Sequence, residues 1–194
     1  MARTGMTALI EELRGLVEAG TAEYTIGTTT YWTGDALQDV LDLHRYDIVF
    51  APLHAFPQII SGGTLQYHEY RSAYNFFEAT TGGTDILYIQ DSTGATAGTQ
   101  LWNMDYRRGV ITFPSDTLGT AFYITGRTYD LNAAAALVWR KKAAHYAPTS
   151  FNFSIDNHSI SREQVYSHCI EMAAFFDGIS KSAIQTIKMY RSDM

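Results

Sequence analysis

Six histidines, one cysteine and one pair of adjacent arginines are the side chains on which catalysis, metal binding or nucleic-acid contact would have to rest. The histidines, His44, His54, His68, His145, His158 and His168, fall at no common spacing. A zinc-binding helix needs two histidines one turn apart, and His68-Glu69 lacks the second. His44 sits on an apolar helical stripe with no other metal-binding residue at helical spacing. It reads as a partly buried histidine satisfied within the fold. Asp156-Asn157-His158 sets polar groups in succession, but a turn leading into a helix accounts for it. Arg107-Arg108, with Tyr106 and Trp102 nearby, has the composition of a base-stacking patch. In an acidic chain the same pair also reads as a solvated hairpin tip or a subunit contact. Cys169 occupies an apolar helical position and reads as a small buried hydrophobe. The chain has no Gly-x-Ser-x-Gly elbow, no Gly-x-x-x-x-Gly-Lys-Ser/Thr run and no Gly-x-Gly-x-x-Gly. These residues point to no metal, no cofactor and no enzyme of those classes. Carboxylates that converge from distant segments stay open as acid–base candidates.

Bulk properties narrow the choice. At 194 residues the chain forms one domain, or one domain with a sizeable insertion, and needs no metal or disulfide to fold. Lys and Arg number 14 against 20 Asp and Glu, a net charge of −6. A protein that grips DNA phosphates is usually basic, so the balance argues against that role. It leaves room for a surface past which DNA slides. One cysteine allows no intramolecular disulfide, which fits a cytosolic site of assembly. Met1 to Gly5 lead into no apolar signal segment, and no apolar run nears the ~20 residues of a membrane helix.

The elements that must position any site follow from periodicity. Leu9, Ile10, Leu13, Leu16 and Val17 recur at helical spacing, with Gly20 as the stop. Ala22 to Tyr31 is Thr-rich and extended or looped. A second helix opens at Thr33 with Asp35 in its first turn, and Leu37, Val40, Leu41 and His44 share a face. Ile48-Val49-Phe50 is apolar, but Pro52 and Pro57 argue against a central strand there. Short strands are expected over Leu65–Tyr70, Ile86–Asp91, Leu101–Asp105, Val110–Phe113 and Ala121–Thr125, with a hairpin turn at Arg107-Arg108-Gly109. They suggest an antiparallel sheet or a small barrel. A helix capped by Asp130 carries Leu131, Ala134, Ala135 and Val138 and ends at Pro148. A loop runs through Asp156-Asn157-His158. Ser161-Arg162-Glu163-Gln164 then opens the last long helix, with Val165, Cys169, Met172 and Phe176 on one face and Gly178 near its end. Ile179, Ala183, Ile187 and Tyr190 give an amphipathic arm.

The expected fold is therefore α+β. A helical bundle of about four helices (1–47 and 129–178) carries an inserted antiparallel β unit (48–128) and a C-terminal arm (179–194).

Two stretches add a resemblance. Tyr129-Asp130-Leu131-Asn132-Ala133-Ala134-Ala135-Ala136, continuing to Trp139, is followed by Phe151-Asn152-Phe153-Ser154-Ile155-Asp156-Asn157-His158-Ser159 and Ser161-Arg162-Glu163-Gln164. Together they resemble tailed-bacteriophage head–tail connector proteins. Tyr31-Trp32-Thr33-Gly34-Asp35-Ala36-Leu37-Gln38 is similar to their second-helix entry. Met104-Asp105-Tyr106-Arg107-Arg108-Gly109-Val110 is similar to a hairpin in members that carry a β insertion.

The resemblance implies a structural, non-enzymatic neck subunit of the virion, assembled in the host cytoplasm. Such proteins form a ring, usually twelve-fold, beneath the portal protein. The ring extends the DNA channel without specific DNA binding and receives the next neck or tail component. In that setting Ile184, Ile187, Lys188, Tyr190 and Arg191 are candidates for portal docking. Ala134, Arg107 and Arg108 are candidates for the subunit interface. The β unit, rich in aromatics and poor in charge, suits lateral contacts or contact with a tail component or the capsid. Two other classes remain: a tail-associated binding module recognising carbohydrate or a receptor through the β unit, and a small hydrolase whose site forms only in three dimensions.

Overall fold

The computed structural model describes residues 2–59, 63–79, 86–149, 152–155, 158–161 and 163–180. A 3-10 turn, Thr4–Met6, leads into α1 (Thr7–Leu16), which buries Leu9, Ile10 and Leu13, with Val17 buried just beyond. The Thr-rich stretch after it is a hairpin of β1 (Tyr24–Ile26) and β2 (Thr29–Tyr31). The β-branched threonines favour the pleated backbone. Thr33 caps α2 (Gly34–Asp42) through Oγ1, which accepts from the Ala36 amide at 3.2 Å. Leu37, Val40 and Leu41 line its buried face. Each such side chain, fully buried, contributes roughly 1.5–3 kcal/mol.

The insertion follows as β3 (Arg45–Pro52), β4 (His54–Ile59), β5 (Leu65–Arg71), β6 (Tyr88–Asp91), β7 (Asn103–Asp105), β8 (Val110–Thr112) and β9 (Phe122–Tyr129). These strands form two antiparallel sheets, ordered β3-β9-β6 and β4-β5-β8-β7. Both are open, so the small-barrel expectation gives way to two sheets that share one core. Ile48, Tyr70, Phe77, Leu87, Ile89, Ile111, Phe113 and Ile124 fill it.

Two strands, β3 and β4, occupy the stretch in which the prolines argue against a central strand. Both are terminal strands of their sheets, where a missing N–H costs no ladder bond, so the prolines exclude only a central position. The Arg107-Arg108-Gly109 turn does join β7 to β8, with Gly109 at φ 66°. β9 runs on to Tyr129, well past the expected end, because it pairs along β3 from Arg45 to Pro52.

Asp130 caps α3 (Leu131–Tyr146), its Oδ1 accepting from the Asn132 and Ala133 amides at 3.0 Å each. A second short hairpin, β10 (Asn152–Ile155) and β11 (His158–Ser161), replaces the expected loop. Ser154 pairs with Ser159 and Ile155 with His158. α4 (Glu163–Ile179) runs through Gly178 almost to its end and buries Cys169, Ala173 and Phe176 against the other helices. The fully buried residues of the helical core lie before 42 and after 128, with Phe76 of the insertion packed against them, and the sheet core lies between Ile48 and Ile124. The C-terminal arm from 181 onward lies outside the described residues.

Candidate interaction surfaces and the polar clasp

The two cores meet along the segment after β5. Phe76, in left-handed backbone at φ 57°, packs against the helical core, while Phe77 enters the sheet core. The backbone here is stitched on several sides. Phe76 and Phe77 amides donate to the Arg107 and Tyr106 carbonyls, the Glu78 amide to Arg127, and the Ala79 amide to Gly5. The Tyr129 amide returns a bond to the Phe76 carbonyl at 3.1 Å.

Glu78, at 0% exposure, is the centre of a clasp across this seam. Its Oε1 accepts from Arg3 Nε at 2.9 Å, and its Oε2 accepts from the Tyr129 hydroxyl at 2.6 Å. Arg3 also grips Asp42 in two parallel bonds, Nη1 to Oδ2 at 2.9 Å and Nη2 to Oδ1 at 2.7 Å. Arg127 Nη1 stands 3.7 Å from Glu78 Oε2. Glu78 and Arg3 together thus tie the N-terminal segment, the end of α2, the insertion and the end of β9. The Arg3 bonds hold the Asp42 carboxyl below its usual range and raise the guanidinium's own proton affinity. Burial, reinforced by Glu78, pushes the Tyr129 phenol upward. Both Glu78 oxygens are engaged, so the arrangement anchors structure and leaves no free base for acid–base chemistry.

A second buried charge closes the helical layer. Lys142, at 3% exposure, points its ammonium at the C-terminal end of α1. Nζ donates to Val17 O at 2.8 Å and Glu18 O at 3.4 Å. It also lies 2.9 Å from Glu23 Oε2 and 5.0 Å from the Trp139 ring centre. A cation there satisfies orphan carbonyls and opposes the negative end of the helix.

The structure disperses the histidines. His68 bridges Phe113 O and Gln66 Oε1, His145 stacks on Tyr24 at 3.7 Å, and His168 meets the Trp139 ring edge-on. His44 is half-buried as expected, but its Nε2 finds no hydrogen-bond partner among the described residues. Burial depresses its pKa. No group of three or more His, Cys, Asp or Glu is placed to hold a metal among the described residues. Cys169 is buried, and burial raises its thiol pKa, the setting of an inert core cysteine. No helix among the described residues is long and apolar enough to cross a membrane.

Arg107 and Arg108 stand at the β7–β8 turn, largely exposed, and both have partners within the chain. Arg107 reaches Glu12 on α1 at 2.6 Å, and Arg108 lies 3.9 Å from Asp105. Ala134, at 0% exposure, is enclosed by the chain's own helical core. The docking candidates Ile184, Ile187, Lys188, Tyr190 and Arg191 lie outside the described residues.

The clearest exposed apolar surface was not singled out by sequence. Every residue of β4 is exposed, and among the described residues its only partner strand is β5. β5 in turn pairs with β8 only over Glu69 to Arg71, so the outer part of the β4–β5 ribbon extends beyond the sheet. Phe56, Ile59 (75% exposed) and Leu65 project from it. Arg71 lies 4.2 Å over the Phe56 ring and 2.7 Å from Glu69.

No protein-family model and no curated protein matches the chain.

Proposed function

We propose that the chain is a structural head–tail connector subunit of a tailed-phage neck, forming a ring under the portal that extends the DNA channel and joins head to tail. The motif resemblance from Tyr31 to Phe176 supplies the family. The observation that carries the reading is the β4–β5 ribbon, an open sheet edge with three exposed apolar side chains. A long exposed edge of this kind is an aggregation hazard in a free monomer and an asset in an assembly that covers it. A closed ring needs two different, complementary patches on each subunit. The ribbon is the natural projecting half. The Glu78 clasp and the Arg107–Glu12 contact fix the β unit to the helices, so ring contacts made by one part would orient the other.

Native mass spectrometry of the chain mixed with the portal protein of the same virus tests this directly. A discrete complex with many copies per portal is the expected result. Deleting 183–194 should weaken portal binding, and Ile59→Lys should reduce contacts between copies while leaving the far-ultraviolet circular dichroism spectrum unchanged. Absence of any complex with the intact chain would remove the connector reading.

A further inference from the structure

The outer face of the three-stranded sheet carries an arrangement that ring assembly does not require. Between Ile48 and Ala51 the β3–β9 register slips, so that Val49 and Phe50 face the single residue Thr125. This is a β-bulge, and Phe50 adopts φ 51°, a left-handed conformation that a bulky side chain takes only at a cost. The bulge leaves Val49 77% and Phe50 39% exposed. The Phe50 ring lies flat on Tyr123, with centres 4.1 Å apart and planes 4° from parallel. Strain of this kind persists only where the surroundings enforce it, and it concentrates at ligand sites.

What surrounds the bulge gives the ligand chemistry. Val49, Phe50, Tyr88, Gln90, Thr96 and Thr125 line a groove of about 350 Å³. That volume falls within the roughly 300–1,000 Å³ of small-ligand sites. Tyr88 faces Thr125 and Gln90 faces Tyr123 across the β6–β9 ladder, so aromatic and neutral polar groups alternate over the surface. Thr125 Oγ1 accepts from the Phe50 amide at 3.0 Å and donates to Gln90 Oε1 at 2.9 Å, while Gln90 Nε2 donates to Gly94 O. These bonds fix the amide and leave its second N–H, the remaining Thr125 lone pair and the Thr96 hydroxyl to a ligand. None of the six lining residues is charged. Phosphate, carboxylate and ammonium groups would find no counter-charge there. A pyranose ring offers what the surface complements, a flat C–H face for an aromatic ring and hydroxyls for amide and hydroxyl groups.

We propose that this groove is a binding site for a neutral saccharide chain, with Phe50 as the stacking platform and Gln90 and Thr125 as the hydroxyl-reading groups. The assignment is independent of the connector reading and would give the β unit an activity of its own.

The test is titration calorimetry of the full chain with cellohexaose, maltohexaose and chitohexaose at millimolar concentrations. A sulfated glycan of similar length serves as the charged comparator. At least one neutral hexasaccharide should bind and the sulfated glycan should not. Phe50→Gly removes the platform while giving the left-handed position the residue that suits it, so the fold should be retained. It should weaken binding by about tenfold or more. Phe56→Ala, which removes an exposed aromatic from the other sheet, should leave affinity unchanged. The proposal is overturned if no neutral saccharide binds the wild type, if Phe50→Gly binds as well as wild type, or if Phe56→Ala loses affinity equally.

Discussion

Glu78 shows how much one side chain decides. Its carboxylate is fully buried and doubly bonded, whereas its partner Asp42 on Arg3 keeps contact with solvent. Removing Glu78 leaves the buried Tyr129 hydroxyl without its charged acceptor and Arg3 with Asp42 alone, a loss of about 2–3 kcal/mol. Asp42 is partly buried but reaches water, which can replace part of its bond to Arg3, so breaking that pair costs less, about 1 kcal/mol. Urea denaturation should therefore find Glu78→Ala severely destabilised and Asp42→Asn only mildly so. An inverted order would mean that the clasp is organised around Asp42. Gly109 is the backbone counterpart. At φ 66°, a Cβ there would lie 2.2 Å from the Tyr74 carbonyl oxygen. Gly109→Ala combines left-handed strain with a collision against main chain, and the expected loss exceeds about 2 kcal/mol in the same assay. Gly109 is legible in the sequence as the glycine of the hairpin turn, whereas Glu78 is not conspicuous. Glu78 directly follows Phe76-Phe77, and a carboxylate in such company is a hint of burial. Nothing in the sequence says that Arg3, some seventy positions away, completes it.

Elements were legible where a local pattern determines them. Thr33 and Asp130 cap α2 and α3 as their types predict, and the apolar stripes of α1 and α2 are the buried faces. The β7–β8 turn follows from its glycine. What escaped is what partners decide. β3 and β4 are strands because β9 and β5 lie beside them, and β10–β11 is a hairpin where polar residues suggested a loop. Lys142 belongs to the basic run Arg140-Lys141-Lys142, in which nothing local marks one member for burial. Only the arrival of the α1 terminus turns it inward, while Arg140 pairs with Asp177 on α4. Lys142→Met keeps the stem and deletes the ammonium, leaving the Val17 and Glu18 carbonyls and Glu23 without it. A loss of about 2–4 kcal/mol is expected. A melting temperature equal to wild type would show that water replaces the ammonium without penalty.

At the scale of the whole molecule, groups with displaced pKa values set how stability responds to acid, His44 near neutrality and Asp42, with Asp91 and Asp116, lower down. His44 has a depressed pKa in the fold, beside Asp130 and Arg140. Below its ordinary value of 6.5 the unfolded chain binds the proton more readily, so stability falls as pH drops through that region. Asp42 is also depressed, and its contribution, full above its ordinary value of 3.8, is lost as pH falls below it. Denaturation midpoints should thus decline in two stages, a shallow one below neutrality and a second under about pH 4. His44→Leu should flatten the first stage and leave the second. The fold class and the helical layer's division around an insertion are visible in the sequence, because texture changes near Tyr46 and returns at Asp130. The clasp and the ribbon are not, since both depend on contacts across the insertion. That division also bears on the order of folding. α1 and α2 precede the insertion and α3 follows it, so the helical core cannot close until residues some eighty positions apart come together. The β3–β9 ladder, from Arg45–Tyr129 to Pro52–Tyr123, is the zipper that joins those distant points. Loop-closure entropy must be met before the helices gain their packing, so refolding should be limited by this ladder. In stopped-flow experiments, Ile124→Val should slow folding more than it speeds unfolding, and the reverse pattern would place the helices first.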